Sequence, residues 1–182
     1  MSHLTGKRVA VLATNGFEDS ELTEPISAVT EHGAEVTVVA PEVGTITGKN
    51  GHEQEATLST ADANASDFDA LVLPGGVVNG DQIRLDSKAV DFTRDFFSQH
   101  KPVGAICHGG WILADADVLQ GRKVTSYASL RTDLQNAGAT WVDEEVVVDE
   151  GLVTSRTPDD LPAFNSKLVE EIGEGKHEGQ QA

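Results

Sequence analysis

The tetrapeptide Cys107-His108-Gly109-Gly110 is the part of this chain best equipped for covalent chemistry. It follows the apolar run Pro102 to Ile106 and opens a stretch that reads as a helix from Trp111 to Ala116. A side chain on such a strand-to-helix turn is held on tight backbone and projects above the sheet, the layout of a nucleophile elbow. Small neighbours at Ala105 and Gly109 let the flanking backbone close up. Free N–H groups and the positive end of the following helix favour thiolate over thiol. Cys107 is therefore read as an exposed, reactive nucleophile rather than a buried, inert thiol.

Three partners are expected around that sulfur. His108 is either a general base oriented by a carboxylate or a satisfied residue at a helix start, with its side chain pointing away from that of Cys107. Candidate carboxylates are Asp81 and Glu18, both placed at predicted strand ends, whereas Asp19 and Glu21 read as surface acids. Glu18 could equally be a helix-start acid favoured by the dipole; buried, its pKa would rise and it could share a proton with the sulfur. Backbone N–H groups of Gly76 and His108 would face an oxyanion formed at Cys107. The other histidines show no ligand spacing on one face, so no metal is expected. Gly75-Gly76 lacks a Walker lysine or a G-x-G-x-x-G pattern, so phosphate binding and a nucleotide cofactor are not expected either.

The elements that must position these residues follow from the apolar pattern. Arg8 to Ala13, Glu35 to Ala40, Ala70 to Leu73 and Pro102 to Ile106 read as strands buried on both faces. Amphipathic stretches at 20–32 and 87–99 read as helices, and Asn50-Gly51 as a hairpin turn. Shorter strands are expected near 123–126, 140–142, 146–149 and 152–155, with a last helix from Pro158 to about Ile172. Continuous apolar strands alternating with helices imply an α/β sandwich with a mostly parallel sheet and helices on both faces. Ligands then bind at the carboxyl ends of the strands, in the loops at 15–18, 74–81 and 107–110. One domain over residues 1–172 is expected, with 173–182 as a disordered polar tail.

Composition bounds the function class. The 182 residues carry 30 Asp and Glu against 13 Lys and Arg, a net charge of −17 that disfavours nucleic-acid partners. Acid spread along the whole chain suggests a host with high internal salt, which predicts unfolding midpoints that rise toward molar KCl. The single cysteine excludes an intrachain disulfide. No apolar run approaches the ~20 residues of a membrane helix, and no secretory h-region is evident, so a cytoplasmic protein without membrane partners is expected.

Taken together, Asn15-Gly16-Phe17-Glu18-Asp19-Ser20-Glu21-Leu22, Gly44-Thr45-Ile46-Thr47-Gly48, Leu73-Pro74-Gly75-Gly76, Ala105-Ile106-Cys107-His108-Gly109 and Thr125-Ser126-Tyr127 resemble the DJ-1/PfpI superfamily, in particular its PfpI branch. The resemblance covers residues 7–172 and implies a flavodoxin-like fold related to class I glutamine amidotransferase domains. It implies Cys107 as nucleophile, Glu18 as its carboxyl partner, His108 as catalytic histidine, and Gly76 with His108 as oxyanion-hole amides. Gly75 and Tyr127 would line the substrate pocket. Asp81 matches an acid that reaches the histidine across a subunit interface, usually Glu and on a loop one residue shorter. Gly110 stands where proline is common. The resemblance implies a homodimer, with hexamers as a further assembly. Its activities are glyoxalase or deglycase chemistry on small carbonyls and glycated proteins, or intracellular cysteine peptidase activity. A redox-sensing stress protein or holdase, oxidised at Cys107, is the alternative without turnover. A glutaminase is disfavoured because no His-x-Glu pair follows the elbow.

Overall fold

The computed structural model describes residues 3–182; Met1 and Ser2 lie outside the described residues. In chain order, β1 (Arg8–Leu12) leads into α1 (Asp19–Glu31) and β2 (Glu35–Ala40). The hairpin β3 (Gly44–Thr47) and β4 (Glu53–Ala56) comes next, then the short β5 (Leu58–Ser59) and β6 (Ala70–Leu73). α2 (Val77–Ile83) and α3 (Ser87–Ser98) precede β7 (Val103–Ile106), which ends at a 3₁₀ turn, Cys107–Trp111, and α4 (Ile112–Asp115). The remainder comprises β8 (Lys123–Val124), α5 (Arg131–Asn136), β9 (Thr140–Trp141), β10 (Val146–Asp149), β11 (Leu152–Ser155) and α6 (Leu161–Glu174).

Seven strands form one sheet in the order β10-β11-β7-β6-β1-β2-β5. All neighbours run parallel except β10 against β11. Alternation along β1 explains the layers: Ala10 and Leu12 enter one core with Phe92, Phe96 and Phe97 of α3. Val9 and Val11 enter the other with Leu22 and Val29 of α1 and Phe164 and Leu168 of α6. Because both faces are covered, the central strands can be apolar throughout, as the sequence predicts. β1 lies between β2 and β6, so successive strands are laid down on opposite sides of it. The chain reverses there, and a crevice opens at the carboxyl ends of β1 and β6.

Packing is tight where β7 meets α6. A methyl group at Gly104 would lie 2.8 Å from Leu168 Cδ1 and 3.0 Å from Phe164 Cζ. Gly104→Ala should therefore destabilise the fold by about 1–3 kcal/mol, read as a lower urea midpoint at an unchanged slope.

Three expectations change. The loop expected over 74–81 continues as α2 from Val77 in spite of Gly80, whose missing side chain lets the helix pack on the elbow: a Cβ there would lie 2.7 Å from His108 O. The helix expected from Trp111 is a 3₁₀ turn and then only four residues of α4. Residues 173–182, expected to be disordered, dock: Gln180 is buried, its side-chain amide donating to Lys101 O at 3.1 Å and its Oε1 accepting from Arg122 Nη2 at 2.8 Å. A glutamine that meets two buried partners supplies the anchor that apolar counting does not see. Among the described residues, no helix is long and apolar enough to cross a membrane.

Candidate active site

The carboxyl ends of β1, β6 and β7 bring Glu18, Glu21, Gly75, Gly76, Cys107 and His108 together. Cys107 sits at φ +60°, a left-handed conformation that costs a β-carbon-bearing residue about 1–3 kcal/mol. That strain holds its side chain above the sheet, with the amides of Gly76 and His108 directed at the sulfur. Gly76, at φ +94°, could not carry a side chain: a Cβ there would lie 2.6 Å from the Glu18 amide. Gly75 packs beneath Cys107, where a Cβ would come 2.7 Å from that of the cysteine.

Glu21, not Glu18, is the carboxyl beside the thiol. Glu21 is 0% exposed in the first turn of α1, facing the sulfur and the Gly75 amide. Neither of its oxygens reaches hydrogen-bond geometry in the resting arrangement. Glu18 occupies the N-cap of α1, its amide donating to Gly75 O at 3.1 Å and its carboxylate paired with Lys49 at 2.5 Å. It therefore takes the helix-start role, close enough to act on the pair through its charge. One helical feature could have pointed to Glu21. It shares a face with Leu22, Pro25 and Val29, the buried side of α1, and an acid on an apolar stripe has no solvent to face.

Asp19 is not a free surface acid either. Its oxygens accept from the Asn50 amide at 3.2 Å and the His52 amide at 3.0 Å, tying the β3–β4 hairpin to the start of α1. The hairpin tip thereby places Lys49 over the site.

Electrostatics reverse the expectation of a thiol ionised near neutrality. Burial, and then the charge of Glu21, push the Cys107 thiol up to about 12. Burial, with the charge of Glu18 next, raises Glu21 from 4.5 to about 8. The two groups titrate as a pair, whose first proton leaves near the lower value. The Gly76 and His108 amides pull the thiol's pKa the other way, without overcoming burial and the Glu21 charge.

His108 turns toward the sulfur rather than away, with Nδ1 3.3 Å from Sγ. Its Nε2 is 3.3 Å from Ser129 Oγ, and its ring stacks on Tyr127 with centroids 4.7 Å apart. Burial, aided by the Lys49 charge, lowers its pKa, so the imidazole is neutral near pH 7. Ser129 was not foreseen, because its spacing from the elbow carries no pattern. Asp81 does not reach His108 within the chain; it is exposed on α2, accepting from the Gln82 side chain at 2.8 Å.

Comparison with known proteins places this arrangement. The DJ-1/PfpI family model matches residues 7–171. The chain belongs to the DJ-1/PfpI family. Its relatives include general stress protein 18 of Bacillus subtilis, 54% identical over 90% of this chain and 96% of that protein. Another is protein/nucleic acid deglycase 2 of Escherichia coli, 48% identical over 92% of this chain and 98% of that one. Among solved structures, a two-domain protein from Anabaena variabilis with DJ-1/ThiJ/PfpI-like and ferritin-like domains superposes with a TM-score of 0.89. It is 37% identical over 92% of this chain and 48% of its own length. The flavodoxin-like architecture expected from the resemblance is thus the family's own.

Proposed function

We propose that this DJ-1/PfpI protein is a cysteine-dependent enzyme acting on reactive carbonyls, as a glyoxalase or deglycase in stress protection. The observation that carries this reading is the contact of Cys107 with two backbone amides and a carboxyl whose pKa is raised to about 8. Such a pair can attack a carbonyl carbon and return a proton to the oxygen. Relatives named as a deglycase and a general stress protein support it.

On a small α-oxoaldehyde, Sγ bonds to the aldehyde carbon while the π electrons move to oxygen. The Gly76 and His108 amides hold that oxyanion, and Glu21 protonates it, giving a hemithioacetal. The carboxylate of Glu21, or His108, then carries a proton from the former aldehyde carbon to its neighbour, while the hydroxyl proton of the first carbon passes to the neighbouring oxygen. The product is a lactoyl thioester, which water hydrolyses to lactate and free thiol. With an early adduct on Lys or Arg, the C–S bond forms as the C–N bond breaks. The departing amine takes the Glu21 proton and leaves the same hemithioacetal. Gly75 packs under the thiol, and Tyr127 lines the opening on the His108 side.

Amide cleavage asks for more. A cysteine peptidase uses an imidazolium to protonate its leaving amine, whereas His108 here is neutral and faces the Ser129 hydroxyl. Asp81 could complete a triad only from a second copy. The exposed Val77, Val78 and Leu85 around it on and beside α2 favour such self-association. Methylglyoxal, a glycated peptide and casein, each assayed against a Cys107→Ala blank, separate the readings. Lactate or released amine without peptide cleavage supports the carbonyl reading. Casein hydrolysis alone, or peroxide-selective oxidation of Cys107 without any turnover, rejects it.

A further inference from the structure

At the end of the molecule opposite in sequence to the thiol site, α6 and the docked C-terminal segment converge on three metal-ligating side chains. Glu171 and Glu174 lie one turn apart on α6, and His177 returns onto them after the helix stops at Gly175. Their donor atoms all lie within 4.8 Å of one another. His177 Nε2 stands 3.5 Å from a Glu171 oxygen and 3.4 Å from a Glu174 oxygen. That nitrogen is buried and makes no hydrogen bond. The Glu171 side chain is only 7% exposed, with no lysine or arginine at ion-pair distance among the described residues. Two carboxylates and an imidazole nitrogen are therefore gathered within the reach of a single ion.

The ring is held in place from outside the cluster. The His177 amide donates to His100 O at 2.9 Å, and His177 O accepts from the Gln180 amide at 3.0 Å. Its Cδ2 edge rests against Gly151, where a Cβ would come within 3.1 Å. The spacing also suits a cation. Donors arranged tetrahedrally at bond lengths of about 2.0–2.2 Å are separated by roughly 3.4 Å, and both nitrogen-to-oxygen edges have that length. Two carboxylates balance a dication, and an imidazole selects a borderline metal over magnesium, which prefers oxygen and retained water.

We propose that Glu171, Glu174 and His177 form a binding site for one divalent transition cation of the zinc type, fastening the C-terminal segment to α6. The matched family region ends at residue 171, so two of the three ligands lie beyond it. This departs from the sequence expectation of no metal. His177 leaves the helix before it meets the two acids, so helical spacing does not group the three residues.

The test uses full-length Cys107→Ala protein, stripped with chelator, so that the thiol cannot contribute. Zn²⁺ titration by calorimetry should show one equivalent bound, a raised thermal midpoint and slowed hydrogen exchange over residues 175–182. Mg²⁺ at the same concentration should do none of these. Glu174→Gln, half exposed and tolerated by the fold, and His177→Gln should each weaken Zn²⁺ binding by about a hundredfold or more, leaving the metal-free melting midpoint in place. The proposal is overturned if the Cys107→Ala protein binds no stoichiometric Zn²⁺. It is equally overturned if both variants bind as tightly as their parent, which would assign the ion to the acidic surface at large.

Discussion

Cys107→Ala should lower turnover of a reactive carbonyl by about 10⁴-fold or more, while the protein folds and melts much as before. The loss is this large because the chain contains one cysteine, so no other thiol can take its place against the Gly76 and His108 amides. Neither the Gly76 and His108 amides nor Glu21 can form the covalent bond, although all three remain to bind substrate. Alanine at position 107 keeps the strain at φ +60°, so the variant tests chemistry and not backbone relief. Steady-state lactate formation from methylglyoxal is the readout. Activity above about one per cent of wild type would remove the sulfur from the mechanism.

Glu21→Gln should make the enzyme slower and the fold more stable, an opposition that a purely structural residue would not show. Glutamine keeps the shape but cannot hold or return a proton, so turnover should drop by about 10²–10⁴-fold. For stability, the folded pKa of about 8 lies above the value of 4.5 for the unfolded chain. Below pH 4.5 both states carry the proton and the residue contributes nothing differential. As pH rises past 4.5 the unfolded chain ionises first, so folding loses free energy until the folded group also ionises near 8. By neutral pH the loss is about 3 kcal/mol. Urea denaturation at pH 5 and pH 8 should show wild type losing stability across that interval and Glu21→Gln losing far less. Iodoacetamide labelling of wild-type Cys107 should keep accelerating above pH 8, as a thiol pushed up to about 12 requires, and in the variant, which lacks the Glu21 charge, that rise should move to lower pH. Parallel pH slopes for the two proteins would place the shared proton elsewhere.

Most of the architecture was legible because the central strands are apolar on both faces and end at glycine or proline. Ala70 to Leu73 stops at Pro74-Gly75-Gly76, and Val103 to Ile106 stops at the elbow, as expected from sequence. α2 and α5 are hard to read because each is short and buries one large apolar side chain, Ile83 or Leu134, too few to show a period. The strand-to-helix turn that carries Cys107, and the Gly76 and His108 amides directed at its sulfur, were readable from glycine placement. The carboxyl was not, since Glu18 and Glu21 are three residues apart at one helix start and either could face inward. Burial decides between them, and the decision lies in Leu22, Pro25 and Val29 on the same face. The thiol's high pKa has a related reason: the dipole argument weighs only the amides, whereas burial of the sulfur, and then the acid beside it, outweigh them.

The bond from Asp19 to the hairpin amides has a practical consequence. The hairpin tip that carries Lys49 is fastened to the start of α1 by Asp19 together with backbone bonds from Gly16 to Thr47 and from Lys49 to Phe17, so its position can be altered without touching any reacting group. Shortening that tether would be expected to admit bulkier adducts, whereas bracing it would restrict entry to the smallest aldehydes. Substrate range in this protein would then be tuned at the doorway rather than at the furnace.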